Sequence, residues 1–236
     1  MSPLIHLWNN PLIQTPAWSG LTIALYLAAK RIHRRWGRWW QTPLALTPVL
    51  LIGLLLALHS RYSDYHRATA WLITLLGPAT VAFAVPIYEY RHLVRRHWPL
   101  LGTGMIAGSA TALATGWGFA TLLGIDGSVR LSLLPRSIST PFAMDMARHI
   151  GGMADLAAIF VVLTGIFGTI VGELMINWLP LRSALARGAM LGVAAHAAGT
   201  AKAHEIGREE GSVAGLLMIL VGMLNVLGAS LFSLLG

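Results

Sequence analysis

Residues 156–179 read LAAIFVVLTGIFGTIVGELMINWL and contain one charged side chain, Glu173. An α-helix of that length rises about 36 Å, and roughly 17–25 apolar residues are enough to cross about 30 Å of hydrocarbon. Further apolar blocks lie at residues 18–29, 44–58, 100–123 and 213–235. This pattern predicts an all-α integral membrane protein.

The composition of the chain points the same way. Of the 236 residues, 56% are hydrophobic and 11% are charged, whereas a soluble domain carries roughly 25% charged residues. The net charge of +8 comes largely from short basic clusters between apolar blocks, at residues 30–38 and 91–96. Such clusters are typical of loops that stay in the cytoplasm, and no basic face suited to reading bases is present. We therefore expect a lipid bilayer around the protein and no nucleic-acid partner.

The sequence contains no residue arrangement typical of catalysis. Cysteine is absent, which excludes disulfides and zinc–thiolate sites. There is no nucleophile elbow, no HExxH motif, no P-loop and no dinucleotide-binding fingerprint. We therefore expect no enzyme activity, no cofactor and no metal site.

Glycine and proline divide the chain into about eight helical segments. We place them at residues 16–32, 43–59, 68–90, 98–124, 132–149, 155–178, 183–204 and 212–235. They form a single transmembrane domain over 1–236, with a helix pair (16–60), a first repeat (68–124), a second repeat (131–181) and a C-terminal pair (183–235). If all eight segments cross, residues 179–183 and 205–211 lie on opposite sides of the membrane. A re-entrant fifth segment, which contains Arg136, would change how the basic residues divide between the two sides.

The two repeats are linked by an ungapped match between residues 77–92 and 134–149. The matched pairs are Pro78 with Pro135, Thr80 with Ser137, Arg91 with Arg148 and His92 with His149. A few matches between apolar stretches also arise by chance. The coincidence of a proline, a hydroxyl and an Arg-His pair at one offset favours an internal duplication.

Prolines interrupt both matched segments, Pro78 and Pro86 the first, Pro135 and Pro141 the second. A proline inside a helix removes a backbone hydrogen bond and clashes with the preceding turn, at a cost of about 3 kcal/mol. In a bilayer, broken helices are tolerated where they face protein or a wet cavity. Paired interrupted segments therefore predict discontinuous or re-entrant helices that meet at a transporter's binding site.

The residues around these interruptions are suited to an anion. The hydroxyl donors are Thr80, Ser137, Ser139 and Thr140. Arg136 adds a guanidinium whose shape fits a carboxylate, and a half-helix beginning near Pro141 would add free N–H groups. Two alternatives stay open: the hydroxyls can bond to their own helix backbone, and Arg136 can extend to the membrane interface.

Three more polar residues are candidates for substrate binding or charge coupling. Asp145 lies in an otherwise apolar stretch, where a carboxylate is a candidate relay for protons or cations. Its alternatives are an ion pair with Arg148 or an interfacial position. His196 titrates near neutral pH, and Thr200, four residues later, would share its helix face; the alternative for His196 is a packing role.

Three motifs in order resemble the LrgB/CidB family. They are LLGPATVAFAVPIY at 75–88, LLPRSISTPFAMD at 133–145, and GAMLGVAAHAAGTA at 188–201. The resemblance extends over essentially the whole chain. It implies a multi-pass protein of the bacterial inner membrane, related to the plastidic glycolate/glycerate transporter.

The resemblance implies two functions. The first is transport of small organic acid anions such as glycolate, glycerate or pyruvate, by proton coupling or exchange. The second is a holin-like or antiholin-like protein that modulates murein hydrolase activity and lysis with a small LrgA/CidA partner. We favour the carrier, as a homodimer, because a purely structural protein has no reason to bear the cost of interrupted polar segments.

Overall fold

The computed structural model describes residues 11–37, 41–82 and 84–235, and every element within them is helical. It divides into two compact units, Met1–Ala79 and Thr80–Gly236. The side chains of Thr80 and Pro86 lie outside the described residues. The all-α prediction is therefore confirmed.

The first unit is built from helices that begin at proline or polar residues. These are α1 (Pro11–Trp36), α2 (Pro43–Ala57) and α3 (Tyr62–Thr74), and α4 (Leu76–Ala82) begins within it. Aromatic contacts join α1 to α3: the rings of Trp18 and Tyr65 meet edge to face at 5.6 Å. The indole N–H of Trp71 donates to Ser19 Oγ at 2.8 Å, so the interface is held by both packing and hydrogen bonding.

The second unit combines long helices with two interrupted segments. Its elements are α5 (Ala84–Glu89), α6 (Arg91–Leu122), α7 (Gly127–Leu133), a 3-10 turn (Leu134–Ser137), α8 (Thr140–His149), α9 (Ala154–Trp178), α10 (Ala184–Ile206) and α11 (Arg208–Leu235). The predicted segments 155–178 and 212–235 correspond closely to α9 and α11. The predicted segments 68–90 and 132–149 are each divided into shorter helical pieces, which agrees with the expected interruptions.

Helices α6 and α11 run parallel. Near their starts the hydroxyl of Tyr90 donates to Ser212 Oγ at 2.8 Å. Farther along, the side-chain amide of Asn225 donates to Ser109 Oγ, also at 2.8 Å. The contacts advance together along both helices, so both helices begin at one end of the unit, which we call the Arg91 end. The opposite end, where α6 finishes, we call the Asp126 end.

Residues 127–153 form a hairpin that enters and leaves at the Asp126 end; we call it hairpin A. It consists of α7, the 3-10 turn, a tip at Ile138–Ser139 and α8. The amide of Met153 donates to Ser132 Oγ at 2.7 Å, and Gly152 lies against the backbone of Ser132. These contacts close the hairpin at its base.

Residues 184–207 form a second hairpin, hairpin B, because α10 is broken at His196. Gly199 lies against the carbonyl group of Leu191, and Leu191 packs in one cluster with Ala203. Twelve residues of straight helix would separate that last pair by about 18 Å. The chain therefore reverses at His196, and residues 197–206 run back beside residues 184–195.

The topology of the second unit differs from eight crossing segments. Arg187, near the start of hairpin B, pairs with Glu210 at 2.6 Å, so residues 179–183 and 205–211 lie at the same Arg91 end. Hairpin A likewise returns to the end at which it began. Three helices, α6, α9 and α11, run from end to end.

Two described helices are long and apolar enough to cross a membrane, Ala154–Trp178 and Arg208–Leu231. Only 17% of the apolar window in the first is buried within the chain, against 50% in the second. The exposed residues of α9 recur every three or four positions: Ile159, Leu163, Phe167, Val171, Leu174 and Trp178. One whole face of α9 is thus an uncovered apolar stripe.

Candidate binding site at the hairpin tips

Ser139 is the residue at the tip of hairpin A and the N-cap of α8. Its backbone is extended (φ −65°, ψ 149°), and its carbonyl oxygen accepts the first helical hydrogen bond, from Ala143 at 2.9 Å. The side chain is 3% exposed, and its hydroxyl has no hydrogen-bond partner among the described residues. A buried polar group without a partner costs about 1–3 kcal/mol, so this hydroxyl is available for a ligand.

The sequence Ser139-Thr140-Pro141 explains why α8 begins there. Serine is a favoured N-cap residue, and the fixed φ of proline suits the first helical turn, where its missing N–H costs nothing. The first turn of any helix carries N–H groups without intrahelical acceptors and the positive end of the helix dipole. Hairpin A therefore places a helix N-terminus inside the unit.

His196 is the corresponding residue at the tip of hairpin B. Its φ of 40° and ψ of −122° are close to the second position of a type II′ turn, which strongly favours glycine. A histidine held in that conformation costs about 1–3 kcal/mol. Strain of this size persists only where the surrounding structure holds the residue in place.

The ring of His196 is enclosed. The residue is 2% exposed, and a Cβ atom added to Gly165 of α9 would lie 2.8 Å from its Cε1 atom. The ring is also close to the backbone of Val161, but neither ring nitrogen makes a well-formed hydrogen bond within the described chain. His196 thus presents two buried polar atoms that a ligand could engage.

The two tips meet beside one turn of α9. Ile138 of hairpin A packs in the same cluster as Val161, and His196 of hairpin B lies against Gly165, one turn farther on. Val193, in the first arm of hairpin B, packs against the same cluster as Ile138. The hairpins enter from opposite ends of the unit, so their tips come together near its middle.

A small cavity lies at this meeting point. Its lining includes Ser137 and Ile138 of hairpin A, Val193 of hairpin B, and Ser109 and Asn225 of the long helices. Its volume of about 10 Å³ is roughly that of one water position. In this conformation the tips are therefore closed, and a three-carbon ligand requires them to separate.

Arg136 is engaged with α6. Its Nη1 atom donates to the carbonyl oxygen of Ala112 at 3.0 Å, and its Nη2 atom donates to Thr115 Oγ1 at 3.0 Å. A Cβ atom on Gly116 would collide with the guanidinium, so the glycine provides its space. Arg136 thus fastens the first arm of hairpin A to α6.

Other predicted site residues lie in different surroundings. The Asp145 carboxylate is 48% exposed and lies 3.7 Å from the ring of His149, while Thr140 is half-buried. The Thr200 hydroxyl points to the sulfur of Met218, 3.9 Å away. Because α10 breaks at His196, Thr200 and His196 do not share the face of one continuous helix. Of the predicted site residues, Ser137 lines the small cavity, Ser139 and His196 are buried at the tips of the two hairpins, and Asp145 and Thr200 lie elsewhere.

Ion pairs hold hairpin B at its base. Arg187 of the first arm pairs with Glu210 of α11. Lys202 of the second arm lies 3.0 Å from Glu173 of α9 and 3.3 Å from Glu205. Each arm is thus fastened to a different long helix, while the tip packs through small residues.

Sequence reasoning did not identify two features of the site. One is the Ser109–Asn225 hydrogen bond, although a lone asparagine in an apolar helix is a recognisable signal. The other is the glycine seat for the His196 ring. The contact of that ring with Gly165 depends on the reversal of α10, which no local pattern indicates.

Comparison with known proteins agrees with the resemblance seen in the motifs. A family model described as the LrgB-like family matches residues 22–235. The protein YwbG of Bacillus subtilis is 36% identical over 89% of this chain and 93% of its own length. No solved structure matches the chain.

Two further relatives have descriptive names. Antiholin-like protein LrgB of Bacillus subtilis is 30% identical over 81% of this chain and 83% of its own length. Holin-like protein CidB of Staphylococcus epidermidis is 26% identical over 92% of this chain and 94% of its own length. The family match extends across both hairpins.

Proposed function

The chain belongs to the LrgB-like family, and from that premise we propose that it is a multi-pass inner-membrane carrier of small organic anions. The observation that carries the proposal is the meeting of two hairpins, from opposite ends of the unit, at buried polar residues without partners. Discontinuous helices that meet near the middle of a bundle are typical of secondary transporters.

The exposed surface of α9 supports the proposal that a lipid bilayer surrounds the protein. Its apolar stripe includes Phe167 at 65% exposure and Trp178 at 84%. A soluble monomer rarely exposes a contiguous apolar surface of that length, whereas hydrocarbon chains cover it without cost. We therefore place α6, α9 and α11 across the membrane and both hairpins within it.

The basic residues favour one orientation. Two basic residues, Arg130 and Arg148, flank hairpin A at the Asp126 end. At the Arg91 end, the basic residues around the helix termini are Arg91, Arg95, Arg96, Arg182, Arg187 and Arg208. Cytoplasmic loops carry the excess of lysine and arginine, so the Arg91 end faces the cytoplasm and hairpin B opens toward it.

The transported class follows from the groups at the tips and from the family resemblance. Hydroxyl, imidazole and helix N-termini suit a carboxylate, and the close packing of the two tips favours a short chain over a long one. We propose glycolate, glycerate or pyruvate as test substrates, taken up when the closed tips separate toward one end at a time. Proton coupling and exchange are both compatible with this arrangement.

The names of two relatives favour a second function. CidB is named holin-like and LrgB antiholin-like, which supports a membrane assembly that acts on lysis, with a homodimer or a small LrgA/CidA-type protein as partner. Such an assembly would let unrelated solutes pass, or restrain their passage, and would need no saturable site.

One experiment separates the two functions. Purified protein in proteoliposomes is given labelled glycolate, glycerate or pyruvate, with and without an inward proton gradient, and the vesicles also contain a fluorescent dye. Saturable uptake with the dye retained supports a carrier. Release of the dye in proportion to the protein, without saturable uptake, would instead support the holin-like function.

A further inference from the structure

The N-termini of two helical arms lie near the same stretch of α9 in the second unit. Helix α8 begins at the tip of hairpin A, after Ser139. The second arm of hairpin B, residues 197–206, begins at its tip, after His196. Both tips lie beside the turn of α9 that contains Val161 and Gly165. Two positive helix ends thus lie near the same stretch of α9, and they belong to hairpins that enter from opposite ends of the unit.

Each of these helix ends is preceded by a buried polar side chain without a well-formed hydrogen bond. Ser139 is 3% exposed and its hydroxyl has no partner within the described chain; His196 is 2% exposed, and its ring nitrogens make no well-formed hydrogen bond there, although the ring lies close to the backbone of Val161. Buried polar groups are ordinarily satisfied. Two orphaned donors at two converging helix ends point to a ligand that carries acceptor oxygens.

The cationic side chains nearest in sequence are committed elsewhere. Arg136 donates to Ala112 and Thr115 of α6, and Lys202 is held by Glu173 and Glu205. A helix N-terminus is equivalent to about half a positive charge. Two such ends offset about one negative charge, so the site is matched to a single carboxylate.

We propose that a small monoanionic carboxylate binds between the two helix ends, with Ser139 and His196 as hydrogen-bond donors and without Arg136. The proposal rests on the carrier function and assigns its binding site. The anion would accept from the serine hydroxyl on one side and from an imidazole N–H on the other, so both hairpins would hold the same ligand.

This arrangement also explains the strained conformation of His196. Glycine would adopt the same φ without cost but would leave the second helix end without a side-chain donor. Asparagine tolerates positive φ better than most residues and retains a donor. Substitutions at this position can therefore separate the conformational role from the binding role.

The test is glycolate binding to the purified full-length protein in detergent, measured by calorimetry. We expect Ser139→Ala and His196→Gly to weaken binding about tenfold or more, because each removes a hydrogen bond to a charged group. Ser139→Thr and His196→Asn should stay within about threefold of wild type. Matched controls are Ser128→Ala, at an exposed serine, and His59→Gly, at an exposed histidine with φ 49°.

A second binding experiment compares glycolate with oxalate, a dianion with the same number of carbon atoms. The site should prefer glycolate by about tenfold or more, because two helix ends cannot balance a second charge. Preference for oxalate, or loss of binding in Arg136→Gln with an unchanged melting temperature, would place a full cation in the site and overturn the proposal.

Together, the uptake and binding results distinguish failure of the proposed site from failure of the proposed carrier function. Saturable uptake together with wild-type affinity in folded Ser139→Ala and His196→Gly would mean that the carrier function stands and this site is wrong. Dye release without saturable uptake would overturn the carrier and the site together. A melting curve for every variant identifies those that fail to fold. If Ser139→Ala or His196→Gly fails to fold, the glycolate affinity of Ser139→Thr and His196→Asn decides whether the proposed site is right.

Discussion

Gly199 lies against the backbone carbonyl group of Leu191, eight residues earlier in the chain. In a straight helix these residues would be about 12 Å apart. The contact exists because the chain reverses at His196, and it is so close that a single methyl group would not fit. Hairpin B therefore depends on glycine at this position.

Gly199→Ala should destabilise the protein by about 1–3 kcal/mol, the usual cost of forcing an extra methyl into a packed interior. The measurement is the free energy of unfolding in mixed micelles. Gly104→Ala is the matched control, since a Cβ atom there meets nothing within 4 Å. That control should be neutral or stabilising by up to about 1 kcal/mol. Equal effects of the two substitutions would contradict the reversal.

The contact of Arg136 with α6 predicts coupling to Thr115. Arg136→Gln and Thr115→Val should each lower the free energy of unfolding, and the double variant should lose less than their sum. We expect a coupling of about 1 kcal/mol, the typical worth of one hydrogen bond. A double-mutant cycle in mixed micelles measures it. Strict additivity would show that the guanidinium is not bound to this hydroxyl.

The Arg187–Glu210 pair predicts an asymmetry between single and double substitutions. Arg187→Gln removes the cation and leaves the buried Glu210 carboxylate without its partner, which is strongly unfavourable in a poorly solvated place. The double variant Arg187→Gln/Glu210→Gln should therefore melt at a higher temperature than Arg187→Gln alone. The opposite order would mean that the carboxylate is solvated.

The two-hairpin topology predicts which positions share a side of the membrane. The chain has no cysteine, so single cysteines can be introduced without further changes. Leu181→Cys and Glu209→Cys should react with an impermeant thiol reagent from the same side in oriented vesicles, and Ser128→Cys and Met153→Cys from the other. Reaction of positions 181 and 209 from opposite sides would restore the topology of eight crossing segments.

Much of the helical pattern could be predicted from the sequence. The block 155–178 matches α9 (Ala154–Trp178) within one residue, because continuous apolar composition has few alternatives in lipid. Pro43 and Pro141 correctly marked helix starts. Prolines 135 and 141 also predicted an interruption, and the tip at Ile138–Ser139 lies between them.

The break at His196 could not be predicted. The surrounding residues are mostly alanine, glycine and other good membrane-helix formers, and the turn conformation normally calls for glycine rather than histidine. Tertiary contacts, such as those of Gly168 with Ala195 and of Gly192 with Ala214, override the local preference. The spacing of four residues predicted that His196 and Thr200 share one helix face. That prediction is wrong because the chain reverses at His196.

The proline pattern likewise did not indicate the second hairpin. The matched prolines directed attention to residues 77–92 as the counterpart of residues 134–149. In the structure the tip of hairpin B, His196, lies in a segment that carries no proline. A helix can thus be interrupted by packing alone, and such interruptions are invisible to a search for breaker residues.

Each hairpin begins and ends at one end of the second unit, so neither hairpin changes the direction in which the next helix runs. Helix α9 starts at the end where α6 stops, so residues 127–153 contribute no net crossing, and residues 184–207 likewise leave the direction of α11 unaltered. Either hairpin could have been gained or lost whole during evolution without inverting any later helix. The hairpins are in that sense insertions into a three-helix framework whose orientation they do not determine.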